Sequence, residues 1–103
     1  MRSLAYYVTL SLLACTSGAA FAADADNGSN LARRWCASCH IVSGAQSKGI
    51  DTAPSFASIA QMTDLSAEKL AYFLLEPHPK MQDMSLSRDA AKDLAAYIAQ
   101  QRR

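Results

Sequence analysis

Five consecutive residues, Cys36-Ala37-Ser38-Cys39-His40, constrain what this chain can fold into more than any other feature of its 103 residues. Their weight comes from the domain around them. Arg2, an uncharged apolar run from Leu4 to Ala14, and small residues ending in Ala20-Phe21-Ala22 have the layout of a secretory signal peptide, residues 1–22. That run of eleven residues is short of the roughly 20 helical residues that cross a bilayer core, so no stable membrane insertion of the mature chain is expected. Cleavage leaves 81 residues, Ala23 to Arg103, with nine basic and nine acidic side chains and two of the three cysteines. This is one domain, and a single core of this size rarely supplies more than about 3–5 kcal/mol, so it calls for a disulfide, a metal or a cofactor. A Cys36 to Cys39 disulfide closes too small a loop to remove much chain entropy.

The balance of nine against nine charges, without a basic cluster, argues against nucleic acid as a partner. It argues equally against electrostatic adhesion to anionic lipid. Cys15 adds a second reading of the leader, because Leu12-Leu13-Ala14-Cys15 resembles a lipoprotein signal that would leave Cys15 acylated. The A-x-A site at Ala22 favours cleavage there and a periplasmic product.

The pattern beyond the leader is helical, with no alternation long enough for a strand. A first helix is expected over about Asp26 to Ser38, capped by Asp26 or Asn27, with Leu31 and Trp35 on one face. Gly44, Gly49 and Pro54 mark a polar loop from Ile41 to Ala53, followed by a short helical turn over Phe56 to Met62. Asp64 or Ser66 can cap the next helix, in which Leu70, Phe73 and Leu74 share a face and Pro77 sets the stop. Pro77-His78-Pro79 is expected not to be helical, because each proline biases its predecessor toward extended geometry. The last helix has Ser87 as cap, Asp89 in its first turn, Arg102 and Arg103 at its end, and Ala91, Leu94, Ala95 and Ile98 at i, i+3, i+4, i+7 spacing. Small Gly28 would let two helix backbones cross closely.

Two thiols three residues apart lie on one side of a helical turn, where both can form thioethers to the vinyl groups of one haem edge. His40, next in the chain, is then carried to the iron. A structural disulfide gives His40 no role, and a zinc site lacks two ligands, since His78 is the only other histidine. Trp35-Cys36-Ala37-Ser38-Cys39 also looks like a thioredoxin active site, but there the first cysteine opens a helix after a strand, and here the helix precedes it.

With these pieces in order, residues 23–103 resemble the class I monohaem c-type cytochromes. The matching segments are Gly28, Cys36 to His40, Ala53-Pro54-Ser55-Phe56, Pro77-His78-Pro79-Lys80-Met81 and Leu94-Ala95-Ala96-Tyr97-Ile98. The resemblance implies an all-α cytochrome c fold, three longer helices plus short turns wrapped around one covalent haem c, with first and last helices crossing. It implies that the Pro54 carbonyl accepts from His40 Nδ1 and that Met81 is the second axial ligand. Met84 is the alternative, since Met81 is followed by Gln82 rather than proline. His78 would instead give a bis-His haem of lower potential. Trp35, Phe56, Phe73 and Tyr97 are expected in the core, without a redox role.

A haem held by His40 and Met81 has no open position, which implies an electron carrier in the periplasm and not an enzyme. A dedicated haem subunit of a larger periplasmic dehydrogenase or oxidase is the alternative; a small peroxidase or sensor requires an open iron. Redox partner proteins are expected at the haem edge, with Arg33, Arg34, Lys48 and Lys80 as its basic rim.

Overall fold

The computed structural model describes residues 22–76 and 80–102. Residues 1–21, which hold Cys15 and most of the expected signal peptide, Pro77-His78-Pro79 and Arg103 lie outside the described residues. Those described form four helices and no strand: α1 (Ala25–Trp35), α2 (Phe56–Ala60), α3 (Ala67–Leu75) and α4 (Arg88–Ala99).

Each helix starts where a side-chain oxygen takes up otherwise unpaired amides. Ser55 accepts from Ser58 N–H, Ser66 from Lys69 N–H and Ser87 from Ala90 N–H. The cap of α1 is Asp24, not Asp26 or Asn27; its Oδ1 accepts from both of their amides, at 3.0 and 3.1 Å. A distant residue fixes this earlier start. Asp93 of α4 accepts from Asp24 N–H at 2.7 Å and from Asn27 Nδ2 at 2.8 Å.

α4 is the central helix, packing against α1, α2 and α3. Its Ala91, Leu94, Ala95 and Ile98 are buried, as the spacing predicts, and Tyr97 joins them. The face that α1 turns to it differs from expectation. Gly28, Ala32 and Cys36 are the buried positions, spaced by four, because only small side chains let the two backbones approach. Leu31 and Trp35 are rotated to the flank, and Trp35 is 44% exposed. Likewise α3 buries Leu70 and Ala71, with Leu74 packed against them, and leaves Phe73 49% exposed. Core placement of Trp35 and Phe73 is thus corrected, while that of Phe56 and Tyr97 stands.

At the crossing, a Cβ added to Gly28 would lie 2.6 Å from the Asp93 carbonyl carbon and 2.8 Å from Tyr97 Cβ. The glycine is there for this approach, since no described glycine has a positive φ. Tyr97 then reaches past α1, its hydroxyl donating to the buried Val42 carbonyl at 2.7 Å. That bond joins α4 to the segment after His40.

Candidate functional site

The five-residue motif sits at the C-terminal end of α1. Cys36 and Ala37 both donate their amides to the Ala32 carbonyl, at 2.9 and 3.0 Å. The Cys36 carbonyl accepts from Cys39 N–H at 3.1 Å and His40 N–H at 2.8 Å, so the motif is one closed turn. Both cysteines are free thiols, Cys36 buried and Cys39 exposed. Burial, followed by the nearby Cys39, pushes the Cys36 thiol from 9.0 up to about 11. An exchange nucleophile needs the opposite shift, produced by a helix N-terminus. Cys36 follows a helix instead of opening one, and no strand accompanies it among the described residues.

His40 is buried, its ring tilted against Phe56 at a centroid distance of 5.5 Å. Its Nδ1 lies 2.6 Å from the Pro54 carbonyl oxygen. A carbonyl can only accept, so Nδ1 carries a proton, and in the neutral imidazole Nε2 is then the nitrogen with the free lone pair. Phe56 N–H donates to the Ile41 carbonyl at 2.9 Å, which holds the Pro54 segment against the motif. Two thiols and an oriented imidazole in one turn fit the donor set of a thioether-bound haem. No group of three or more His, Cys, Asp or Glu is placed to hold a metal ion among the described residues, which do not include His78.

Gln46 was not singled out by the sequence. Its Nε2 donates to the carbonyls of Ala37, His40 and Lys48 at 2.9, 2.7 and 2.7 Å, and its Oε1 accepts from Val42 N–H at 3.1 Å. No composition or spacing signal marks a glutamine in a polar loop as the residue that ties the loop together.

Met81 and Met84 are both partly buried and line one small cavity with Leu74, Glu76, Gln82 and Asp83. Ser85, just beyond them, has φ 49°, a left-handed conformation, and its N–H donates to Asp83 Oδ1 at 2.8 Å. Arg33, Arg34, Lys48 and Lys80 are exposed. Arg33 is tied to Ser29 and Asn30, and Lys48 lines an open cleft of about 410 Å³ with Ile41, Gly49 and Ile50. Tyr72 is 67% exposed, and its hydroxyl is hydrogen-bonded to Glu76, which raises its pKa. No helix among the described residues is long and apolar enough to cross a membrane.

Residues 23–98 match the family model described as "Cytochrome C oxidase, cbb3-type, subunit III". A cytochrome c-552 from Bradyrhizobium diazoefficiens is 56% identical over 86 residues, covering 84% of this chain and 83% of the relative. No solved structure matches. Together with the helical fold and the oriented histidine, these matches show that the chain belongs to the cbb3-type family of cytochrome c domains, as a small c-type cytochrome that carries electrons.

Proposed function

We propose that the chain is cut after Ala22 and works in the periplasm as a one-electron carrier with a single covalent haem c. Cys36 and Cys39 would form the thioethers, and His40 Nε2 and Met81, with Met84 as the alternative to Met81, would bind the iron. The observation that carries this reading is the 2.6 Å contact between His40 Nδ1 and the Pro54 carbonyl. It fixes the ring and the tautomer, leaves Nε2 for a metal, and makes the imidazole a stronger donor. When bound, the haem supplies one-electron exchange between ferric and ferrous iron.

The residues do the rest. Cys36 and Cys39 would hold the haem and His40 and Met81 would both bind its iron, which would keep substrates from the metal and make the protein a carrier and not an enzyme. Exposed Arg34, Lys48 and Lys80 orient acidic redox partners toward the motif by local charge, although the total is nearly balanced. Charge reversal at Lys80 is expected to slow transfer and weaken its dependence on salt; unchanged rates remove this steering role.

The absorption spectrum of the purified protein tests the central claim. Thioether-linked haem bands are expected, with the weak long-wavelength band of an iron–sulfur bond in the oxidised form. A compact, colourless product from a host competent in cytochrome maturation overturns it. A second reading, a dedicated haem subunit of a larger oxidase, is favoured by the description of the matching family. Co-purification in a stable complex supports that reading, and isolation as a lone soluble chain supports the free carrier. Rapid carbon monoxide binding by the ferrous protein would point to an open iron and a different task. Mass spectrometry of the N-terminus separates cleavage after Ala22 from acylation at Cys15.

A further inference from the structure

The imidazole of His40 is restrained from its ring by Pro54, but a ring is only as fixed as the peptide that carries it. That peptide is held from the other side by Gln46. One amide group bonds the carbonyl of Ala37, between the two cysteines, the carbonyl of His40 itself, and the carbonyl of Lys48. Two N–H hydrogens serve three acceptors, so one hydrogen is shared. Its oxygen takes Val42 N–H, and the Val42 carbonyl is held by Tyr97 of α4.

We propose that Gln46 is a positioning residue, setting where the His40 imidazole stands relative to the two cysteine anchors and so tuning the axial bond and the reduction potential. This rests on the haem reading above. Between His40 and Pro54 the loop has few backbone hydrogen bonds: Gln46 N–H to the Ser43 carbonyl at 3.2 Å, Ile50 N–H to the Cys39 carbonyl at 2.8 Å, Ala53 N–H to the Ile50 carbonyl at 3.1 Å, and Phe56 N–H to the Ile41 carbonyl at 2.9 Å. Of these, only the Ile50 bond reaches the motif. Gln46 is the side chain that bridges anchor segment and ligand. Glutamate cannot replace it, because a carboxylate offers no donor to the three carbonyls, and asparagine is one methylene short.

The test uses the haem-loaded protein. Wild type, Gln46→Met, Gln46→Glu and Asp93→Ala are compared by midpoint potential, by the ferric electron paramagnetic resonance g-values and by thermal midpoint. Asp93→Ala removes two hydrogen bonds at the start of α1, away from the motif. It is expected to lower the thermal midpoint and leave g-values and potential in place. Gln46→Met, neutral and similar in length, is expected to shift both, and Gln46→Glu to shift them further. Gln46→Asn gives smaller shifts in the same direction and serves where Gln46→Met does not accumulate. Variants at Gln46 that lose thermal stability while keeping wild-type g-values and potential, as Asp93→Ala does, overturn the inference. A wild-type chain without thioether-bound haem sinks the parent reading instead.

Discussion

Replacing Gly28 by alanine sets two opposed effects against each other at the crossing of α1 and α4. Alanine is the better helix former by about 1 kcal/mol in a helix interior. The added methyl, however, would meet atoms that cannot rotate away: the Asp93 carbonyl carbon of the backbone at 2.6 Å, its oxygen closer still, and Tyr97 Cβ, fixed by its own backbone, at 2.8 Å. Ordinary contact begins at 3.4 Å, so the helices have to separate by on the order of 1 Å, and overpacking of this kind costs about 1–3 kcal/mol. The same movement stretches the 2.7 Å bond from Tyr97 to Val42, forfeiting about 1 kcal/mol more. The net expectation is a loss of about 2 kcal/mol, or roughly 10 °C in thermal midpoint for a domain of this size. Thermal unfolding followed by far-ultraviolet circular dichroism on purified Gly28→Ala and wild type reads this directly. An unchanged or raised midpoint would refute the close crossing, because helix propensity alone would then be at work.

Tyr97→Phe leaves the buried Val42 carbonyl without its donor and is expected to destabilise by about 1–2 kcal/mol, measured by denaturant unfolding. Met81→Ala is expected to abolish the long-wavelength iron–sulfur band while Met84→Ala keeps it; the reverse result assigns Met84 as the ligand. In the haem-free chain Cys36 is held neutral by burial, with its pKa raised from 9.0 to about 11. The stability it contributes is therefore complete below pH 9 and is lost as pH rises through about 11. Unfolding midpoints across that range should fall more steeply for the wild-type thiol than for Cys36→Ala or for a chain whose Cys36 is held as a thioether.

The parts of the fold legible in the sequence are those carried by local signals. Ser66 and Ser87 could be read as caps because each precedes a helical pattern, and the buried face of α4 follows from four apolar residues at helical spacing. The face of α1 was not legible in this way. Gly28 and Ala32 carry little hydrophobicity, so Leu31 and Trp35 outweighed them, although close approach selects for small size. The start of α1 depends on Asp93, 69 residues away, and no window around Asp24 contains that partner. In the site, the motif and the Pro54 contact were expected from spacing and family likeness. Gln46 was not, because its role lies in four bonds to backbone atoms, and a backbone partner leaves no trace in residue types.

The polarity of α1 connects these observations to electron transfer. A helix C-terminus leaves carbonyls unpaired and carries partial negative charge. Here the turn of the motif and the Gln46 amide supply donors to those of Ala32, Cys36 and Ala37. Placing the cysteines at this end disfavours a thiolate, and burial raises the Cys36 pKa in the same sense, so the arrangement is unsuited to thiol exchange. It suits a site that has to change charge without rearranging. The His40 ring is pinned at Pro54 and its peptide at Gln46, and the loop between them is tied through Val42 to the most buried helix of the domain. Every atom that stays put when an electron arrives is one that adds nothing to the barrier, so the same bonds that stabilise this small domain also serve a carrier.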